Sequence, residues 1–566
     1  MKNRRPVLAL VLVLLAPVPV FAQTNPIDAM VVSQNAVASA VGASFLEQGG
    51  NAIDAAVATA FAMAVTHPSA GNIGGGGFMV VRLHDGRTTS FDFRECAPLA
   101  TTPDMFLGAD GTYDSKIHHR SHLAVGVPGT VAGLFKAHQR LGSIPWRRLL
   151  APAVALARDG FVVTSGLHRS LTAYGKYLLP HPGSRRSFFG PDKKAKAVGS
   201  TLKQPDLAAT LTRIQEKGRD GFYLGVTARL IVEEMKRGGG RISAEDLKLY
   251  EARERPCVKG TYRDHEIIGM GPPSSGGITV INMLNMLERF PAVRAPADRV
   301  HLLAEIMRRG FADRARYLGD PDFNPEGLGM HLLSKEHGAK RAETIDPVWA
   351  SRSQLDGIKV MPHESEHTTH FSVIDGEGTA VSLTYTLENS YGSGIVVEGG
   401  GFLLNDEMGD FNPQEGLTTA KGLIGTKPNL LAPRKRMLSS MSPTIVARYG
   451  KVYLVVGSPG GRTIINTVFQ VISNVIDLGK SMQGAVDLAR VHHQWMPDRI
   501  LMEESLATKE LVQELRNRGH EVVTRRSMGV AECLRMRIGQ QIFIEAGVDR
   551  RASDAGAAGV RSGQGR

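Results

Sequence analysis

The stretch HESEHTTHFSVIDGEGTAVSLTYT, residues 363–386, contains two short alternating segments separated by a glycine-rich turn. Apolar and polar residues alternate from Thr368 onward and again through residues 379–386, which is typical of half-buried β-strands. Gly376 and Gly378 between the two segments favour a tight turn. The stretch therefore predicts a β-hairpin whose first strand begins at Thr368.

The first five letters of this stretch, residues 363–367, match the His-Glu-x-x-His signature of zinc peptidases. That signature works on a helix, because both histidines then share one face and the glutamate lies beside the metal-bound water. Here a proline precedes the motif, threonines follow it, and no helical periodicity flanks it. His370 and Glu388 are the candidates for further ligands. A zinc peptidase is therefore an alternative, and the alternation favours chemistry at Thr368.

A threonine hydroxyl is a weak nucleophile unless a base takes its proton. The α-amino group of Thr368 can be that base only if the chain is cut just before it, since a free α-amine titrates near neutral pH. Acyl transfer also needs hydrogen-bond donors for an oxyanion. Residues 451–470, KVYLVVGSPGGRTIINTVFQ, predict a strand, the pair Gly460-Gly461 and a helix start, where backbone N–H groups suit a developing negative charge. Taken alone, these letters favour an ordinary tight turn.

The remaining chain combines helical and strand patterns. Asn51, with Asp54 three residues later, predicts the start of a helix that is small and apolar nearly all round, so we expect this helix in the interior. Residues 140–345 have mostly helical patterns. Strand patterns prevail after residue 368 and include GGFLLND at residues 400–406. Together these patterns predict a layered α+β architecture.

Composition and charge exclude several classes of protein. Three cysteines, Cys96, Cys257 and Cys533, are too few for a disulfide framework, and no CxxC pair is present for a cysteine-based zinc site. The formal net charge is +12, but its densest basic pieces are not interleaved with aromatic residues, which favours solvated loops over a nucleic-acid groove. The glycine cluster at residues 74–77 precedes a strand, whereas a phosphate-binding loop follows a strand and opens a helix. This order argues against a nucleotide-binding site.

Both ends of the chain have distinctive compositions. The beginning, MKNRRPVLALVLVLLAPVPVFAQ, has a positive start, an apolar run and small residues before Ala22, which together predict a secretory signal, residues 1–22. The apolar run is too short to predict a stable membrane span. We therefore expect a periplasmic or secreted bacterial protein. Residues 551–566 are rich in Gly, Ala, Ser and Arg and predict disorder.

The ordered set of motifs resembles the γ-glutamyltranspeptidase family, also called glutathione hydrolases. The likeness extends over about residues 29–546 and includes, in order, GGNAIDAAVA, THPSAGNIGGGGFMV, HLAVGVPGTVAG, PPSSGG, ADRARYLGDPDF, TTHFSVID, LLNDEMGDF, LSSMSPT and GSPGGRTIINT. The resemblance implies a four-layer αββα sandwich of the N-terminal nucleophile hydrolase type. It also implies self-cleavage between His367 and Thr368 into a large subunit, residues 23–367, and a small catalytic subunit, residues 368–566, which remain an interwoven heterodimer.

The resemblance also implies a role for each site residue. Thr368 matches the family's nucleophile, Thr386 its hydrogen-bonding partner, and Gly460 and Gly461 the oxyanion hole. A glutamyl headgroup carries an α-carboxylate, which needs a guanidinium and hydroxyls, and an α-ammonium, which needs acids. The matching residues are Arg94, Ser439 and Ser440 for the carboxylate and Glu388, Glu407 and Asp410 for the ammonium. No metal or organic cofactor is implied.

Asp410 and the segment after it bear on specificity. Related cephalosporin acylases have no ammonium to bind and tend to lose this acid, so Asp410 favours a γ-glutamyl donor such as glutathione, with water, amino acids or peptides as acceptors. A lid is expected over residues 412–435, with Lys421 where lidded relatives often carry an aromatic residue. A relaxed amidase or cephalosporin acylase, a zinc peptidase and an unprocessed binding protein for glutamyl peptides are the alternatives.

Overall fold

Two antiparallel β-sheets packed face to face form the centre of the fold. The computed structural model describes residues 27–324, 329–353, 368–416, 425–538 and 542–561. Strands and helices are numbered in chain order. The seven-stranded sheet has the order β18 (Gly556–Arg561), β1 (Ile27–Ser33), β9 (Thr368–Ile374), β10 (Ala380–Thr386), β2 (Gly76–Arg82), β3 (Thr88–Phe93) and β6 (Arg253–Arg255). The six-stranded sheet has the order β17 (Ile542–Gly547), β16 (Cys533–Ile538), β12 (Lys451–Val456), β11 (Thr444–Arg448), β8 (His265–Gly269) and β7 (Val258–Tyr262).

Helices cover the outer face of each sheet. Those packed on the seven-stranded sheet are α1 (Ala36–Glu47), α2 (Ala52–Thr66), α4 (Thr130–Leu141), α5 (Trp146–Asp159), α8 (Pro205–Lys217), α9 (Asp220–Tyr223), α10 (Gly225–Gly238) and α11 (Ala244–Leu249). Those packed on the six-stranded sheet are α12 (Gly276–Leu287), α13 (Pro296–Tyr317), α14 (Lys335–Ala342), α15 (Thr463–Ile476), α16 (Met482–Asp487) and α17 (Lys509–Asn517). Smaller elements complete the described fold: α3 (Ser115–Arg120), α6 (Ser165–Leu178), α7 (Pro182–Phe188), the pair β4 (Phe161–Val162) and β5 (Thr201–Leu202), and the three strands β13 (Val491–His492), β14 (Ile500–Glu503) and β15 (Val522–Arg525).

Three apolar clusters separate these layers. Val81 and Leu383 belong to the cluster between the seven-stranded sheet and its helices. Val80, one residue earlier on β2, belongs to the cluster between the two sheets, together with Val455. Leu454 on β12 belongs to the third cluster, between the six-stranded sheet and its helices. Because neighbouring strand residues enter different clusters, each sheet is buried on both faces, and the expected αββα sandwich is confirmed.

The predicted hairpin is strands β9 and β10. Phe371 packs toward the helices, as the alternation predicts. In the turn, Asp375 accepts hydrogen bonds from the amides of the following residues, and Gly378 has φ +90°, which glycine adopts without strain. The antiparallel register places Thr368 opposite Thr386. The turn at one end of the hairpin therefore fixes which two hydroxyls meet at the other end.

The helix predicted after Asn51 is α2. The Asn51 side chain accepts a hydrogen bond from the Asp54 amide at 3.1 Å, and the Asp54 carboxylate accepts one from the Asn51 amide at 3.1 Å. This reciprocal cap satisfies amides that a helix start leaves unpaired. All fifteen residues of α2 are buried, so its predicted interior position is confirmed.

Residues 400–406 do not form the predicted strand. Leu403 makes only an isolated bridge with Val396. Gly399 and Gly401 have φ values of +71° and +74°, so the backbone leaves the extended region between the two residues of the bridge. The apolar letters of this segment are buried as a loop rather than as a strand.

The disorder predicted for residues 551–566 is wrong for residues 551–561. Strand β18 pairs with β1 along its whole length, and Arg551 is held by Glu503 and by Asp549. Glycine and alanine suit this position because backbone groups make the pairing, and few side chains there need burial. Residues 562–566 lie outside the described residues.

Three predicted features lie outside the described residues: the signal at residues 1–22, the zinc-like motif at residues 363–367, and Lys421. Within the described ranges, no helix combines the length and the apolarity that crossing a membrane requires. Cys96, Cys257 and Cys533 are all free thiols.

Candidate active site

Thr368 and Thr386 form the centre of the site. Thr368 is the first residue of β9 and is 7% exposed, and its Oγ1 donates a hydrogen bond to Oγ1 of Thr386 at 3.4 Å. The amide of Glu388 also donates to Thr386 Oγ1, at 2.9 Å. Two residues that are 18 positions apart in the chain are thus brought together by the register of the hairpin, and the hydroxyl that meets Thr368 is itself oriented by a backbone amide.

Gly460 and Gly461 form the turn that leads into α15. Their φ values of +128° and +54° favour glycine. Their carbonyls accept hydrogen bonds from the amides of Thr463 and Ile464, while within the described part of the chain neither glycine N–H has a partner. Each glycine lines a cavity that Thr368 also lines. Two unpaired amides beside a hydroxyl suit an oxyanion.

The first of these cavities, which we call the charged cavity, has a volume of about 80 Å³. Its lining includes Arg94, Arg314, Thr368, Thr386, Glu388, Asp410, Ser439, Ser440, Gly461 and Arg462. Eight of the ten predicted site residues therefore share one cavity. Of the other two, Glu407 contacts Arg94 from behind and Gly460 lines the second cavity.

Arg94 is the most enclosed charge of the site. Its side chain is fully buried, and it donates hydrogen bonds to the carboxylates of Glu407 and Asp410 and to the carbonyl of Met437. Glu95 adds a third carboxylate at 3.4 Å from Nη1. Such charge-assisted bonds are about twice as strong as neutral ones. They fix the guanidinium plane and leave the cluster with an excess of acids.

Burial and the charges of this cluster together shift the pKa values of its members. Burial disfavours the charge on Arg94, yet the carboxylates of Glu407, Asp410 and Glu95 raise its pKa overall. Burial also raises the pKa of Glu95 to about 8, against the attraction of Arg94. The pKa of Glu407 rises well above its ordinary value, again because of burial first. Burial thus favours the protonated form of the carboxyls behind Arg94, and a bound cation would favour their ionised form.

The serine pair is held in place by residues that sequence reasoning missed. Ser439 donates its amide to the carbonyl of Pro273 at 2.9 Å and accepts from the Ser275 amide at 2.8 Å. Arg314 on α13 donates to Ser275 Oγ at 2.8 Å and to Ser440 Oγ at 3.0 Å. The motifs PPSSGG and ADRARYLGDPDF contain these supports, but nothing in their letters states that they meet at the serines.

Three carboxylates could hold a cation. Glu388, Glu407 and Asp410 each place one oxygen within 4.8 Å of the others. His370, a candidate ligand of the zinc alternative, is not available to them, because its Nδ1 bonds to Thr384 at 2.8 Å and its Nε2 to Ser372 at 3.0 Å. Burial lowers its pKa to about 3, so the imidazole is neutral. The acids suit an ammonium group as well as a metal ion.

Comparison with known proteins gives consistent matches across the chain. The sequence model of the family described as gamma-glutamyltranspeptidase matches residues 38–559. The glutathione hydrolase proenzyme of Escherichia coli (strain K12) is 44% identical over 519 residues, which cover 91% of this chain and 89% of that protein.

Two solved structures are similar to this one. The crystal structure of Helicobacter pylori γ-glutamyltranspeptidase has a TM-score of 0.56 and 39% identity and covers 59% of this chain and 95% of its own. A cephalosporin acylase from Bacillus halodurans has a TM-score of 0.81 at 23% identity, with 97% and 99% coverage, and so shares the fold. From the family match, the identity to a full-length relative and the shared fold, this chain belongs to the γ-glutamyltranspeptidase family.

Proposed function

We propose that this protein is a self-processed glutathione hydrolase and γ-glutamyltransferase whose nucleophile is Thr368. The observation that carries the proposal is the charged cavity, where a hydroxyl, an oxyanion-hole glycine and groups for both charges of an amino acid lie together. The names of the relatives support the same activity, since the E. coli protein is called a glutathione hydrolase proenzyme.

Members of the family are processed into two subunits that form a heterodimer. We place the scission between His367 and Thr368, so that the new α-amine belongs to the residue that carries the attacking hydroxyl. The strand order supports a stable heterodimer after the cut. In the seven-stranded sheet, β1 from the large piece lies between β18 and β9 from the small piece, and β10 pairs with β2 of the large piece. Backbone hydrogen bonds thus join the two pieces along several strands.

The first half-reaction forms a glutamyl ester. Oγ of Thr368 attacks the γ-carbonyl carbon of the donor while the α-amine of the same residue takes the hydroxyl proton. The N–H groups of Gly460 and Gly461 stabilise the oxyanion, a contribution worth about 10²–10³-fold per donor in related chemistry. The amide C–N bond then breaks as the α-ammonium gives its proton to the departing nitrogen. With glutathione, the released amine is Cys-Gly.

The second half-reaction resolves this ester. Water or an amine attacks the same carbonyl carbon and gives a proton to the α-amine of Thr368. The bond between the carbonyl carbon and Oγ breaks, and Oγ recovers a proton from the α-ammonium. The products are glutamate or a new γ-glutamyl compound and the original enzyme, so atoms and protons balance without a cofactor.

Donor recognition follows from the charges around Arg94. The α-carboxylate of the donor binds near Arg94, Ser439 and Ser440, and the α-ammonium binds the acids Asp410 and Glu388. Glu407 lies behind Arg94 and holds it in place. Burial, with repulsion among the carboxylates added to it, raises the pKa of Glu407, and the ammonium favours the ionised form of the acids around it. This arrangement favours a donor with an α-amino group over a glutaryl donor, which lacks one.

A denaturing gel with N-terminal sequencing tests the processing step. The purified protein should give two bands of about 37 and 21 kDa, scaled by length from 61.0 kDa for the whole chain with residues 1–22 removed. The smaller band should begin TTHFSVID. An intact single band that still hydrolyses γ-glutamyl compounds contradicts the assignment of Thr368.

A comparison of donors separates the alternatives. Glutathione should be consumed much faster than a glutaryl amide, and the activity should survive a strong chelator. Preference for the glutaryl donor favours an acylase, and loss of activity with the chelator favours a zinc peptidase. Ligand binding without turnover and without a second amino terminus favours a binding protein. Export to a periplasm or the medium, inferred from residues 1–22, is part of the proposal.

A further inference from the structure

Thr368 also lines a second cavity, on the other side of the oxyanion-hole turn. We call it the neutral cavity; its volume is about 260 Å³. Gly460 lines it, whereas Gly461 lines the charged cavity. The remaining lining residues are Gln34, His67, Ser69, Ala70, Ser170, Tyr174, Ser390, Pro459, Thr463, Ser527, Met528, Gly529 and Val530. The two cavities therefore meet at the nucleophile and at the two glycines.

The neutral cavity is polar but carries no charge. None of the described residues that line it is Asp, Glu, Lys or Arg. Its one imidazole, His67, has its pKa lowered to about 4 by burial, against the attraction of Asp554, and so is neutral at pH 7. Ser69 Oγ lies 3.3 Å from His67 Nε2. Hydroxyls, an imidazole and a carboxamide offer hydrogen bonds to the amide groups and to the uncharged amine of a peptide.

Gln34 gives this cavity an unused acceptor. Its side chain is only 6% exposed, and its Oε1 has no hydrogen-bond partner in the described part of the chain. A buried carbonyl oxygen without a partner costs free energy, and most such groups in proteins are satisfied. A ligand N–H in the neutral cavity would satisfy it.

The walls of the neutral cavity are fixed before any ligand binds. The amide of Met528 donates to Glu503 at 2.8 Å, and its carbonyl accepts from Arg490 at 2.7 Å. On the opposite side, the hydroxyl of Tyr391 donates to Ser170 at 2.8 Å. Because these contacts hold the walls, the cavity is preorganised, and binding would cost little ordering entropy.

We propose that the neutral cavity is the subsite for the amine side of the reaction, where the departing amine leaves and the acceptor amine or dipeptide enters, with Gln34 accepting an N–H bond from it. The inference rests on the proposed function, because it needs the glutamyl headgroup in the charged cavity. Because Thr368 lines both cavities, a donor with its headgroup in the charged cavity and its carbonyl carbon at Thr368 can place its amide nitrogen in the neutral cavity.

The lack of charge in this subsite favours the neutral, reactive form of the acceptor amine. Only the neutral form of an amine attacks a carbonyl carbon, and carboxylates nearby would stabilise the unreactive ammonium form. A cavity lined by hydroxyls and neutral nitrogen groups binds the amine without raising its pKa. Acceptors with an uncharged side chain at the amino-terminal residue are therefore favoured.

The partition of the glutamyl ester tests this inference. With glutathione as donor and Gly-Gly as acceptor at fixed concentration, the ratio of γ-glutamyl-Gly-Gly to glutamate reports acceptor binding alone, since both products come from one intermediate. Gln34→Leu should lower this ratio about fivefold to tenfold, the effect of one lost hydrogen bond. Ser527 is exposed at the rim of the cavity, and Ser527→Trp should lower the ratio by filling the entrance. Ser527→Trp also decides the test if Gln34→Leu fails to mature.

A change in the charged cavity is the matched control. Glu388→Gln should raise the KM for glutathione and leave the ratio of the two products unchanged, because that ratio is set after the headgroup is bound. Suppose that Gln34→Leu and Ser527→Trp both mature, consume glutathione and keep the wild-type ratio of γ-glutamyl-Gly-Gly to glutamate. The subsite is then elsewhere and this inference is overturned, while the proposed function stands. If the wild-type protein consumes no glutathione at all, it is the proposed function that fails.

Discussion

The charged and neutral cavities differ in everything except the residues at which they meet. Both contain Thr368, and each is lined by one glycine of the pair Gly460-Gly461. The charged cavity is lined by three arginines and by acids, whereas the described lining of the neutral cavity has neither. Both cavities take residues from the chain before and after the proposed cut.

This difference separates two tasks that an acyltransferase must perform at one carbonyl carbon. A zwitterionic headgroup needs fixed opposite charges, which are strong when buried and preorganised. An attacking amine needs the absence of such charges, because they would keep it protonated. Placing the nucleophile between the charged cavity and the neutral cavity serves both needs. Changes in the two compartments should therefore have different kinetic signatures.

The largest effect is expected at the residue that the two cavities share. Thr368→Ala removes the hydroxyl and, by the proposed mechanism, the self-cleavage. We expect one uncut band on a denaturing gel and a loss of γ-glutamyl turnover of about 10⁴-fold or more. The measurement is a gel and a glutathione assay on the same preparation.

The next residue provides the matched control for this change. Thr369 is fully buried, and its Oγ1 has no hydrogen-bond partner among the described residues. It lies on the opposite face of β9 from Thr368, because side chains alternate along a strand. Thr369→Ala should be processed and active. Normal cleavage in Thr368→Ala would contradict the proposed role of Thr368 in self-cleavage, and with it the chemistry proposed for both cavities.

The second largest effect is expected at the proposed oxyanion hole, which would serve both half-reactions. A Cβ at Gly460 would lie 2.4 Å from Thr463 Oγ1 and 3.2 Å from the Gly529 Cα, and the backbone has φ +128°. Gly460→Ala should therefore displace the turn and lower kcat about 10²–10³-fold. Hydrolysis and transfer should fall together, which distinguishes this change from any change in one cavity.

A glycine outside the site that also has a positive φ is the control. Gly479 has φ +65° and open space around its Cβ position. Gly479→Ala should cost about 1 kcal/mol of folding stability without lowering kcat. If both alanine variants lose kcat equally, backbone strain rather than oxyanion stabilisation explains the effect at Gly460.

Much of the charged cavity could be predicted from the sequence because its residues lie in ordered, specific motifs. Arg94, Asp410 and the serine pair were assigned through the family resemblance, and the structure brings them to one cavity. The hairpin was predicted from alternation alone. In each case the informative pattern is local, within about ten residues, and the fold needs only to bring a few such segments together.

The neutral cavity could not be predicted in the same way. Its walls come from residues such as Gln34, Ser170 and Met528, which are far apart in the chain and belong to no chemical motif. Strand β18 was missed for a related reason, because its pairing with β1 depends on backbone groups and not on the side chains that a sequence displays. Long-range packing creates both features, and local patterns carry no signal for either.

A smaller effect is expected at Asp410, the acid that we propose binds the ammonium. Asp410→Asn keeps the shape of the side chain and removes its charge, so kcat/KM for glutathione should fall about 10–100-fold, the range for a hydrogen bond to a charged group. The rate with a glutaryl amide should fall much less, because that donor has no ammonium. The ratio of transfer to hydrolysis should not change. Equal losses for both donors would show that Asp410 acts through Arg94 and not through the ammonium.

The smallest effect is the pH dependence of donor binding, which only the charged cavity should show. Burial raises the pKa of Glu95 to about 8 and that of Glu407 well above its ordinary value, so the free enzyme holds a proton that the donor's ammonium must displace. A group that binds best when deprotonated gives tighter binding as pH rises toward its pKa. The KM for glutathione should therefore fall about threefold to tenfold between pH 6 and 8. At a saturating donor concentration, the ratio of transfer to hydrolysis should instead follow the titration of the acceptor's own amine. Glu95→Gln should flatten the KM profile because it removes a carboxyl whose pKa burial raises to about 8. If the KM for glutathione does not change with pH in the wild-type enzyme, the cluster around Arg94 is fully ionised. Any pH effect on transfer would then arise in the neutral cavity alone.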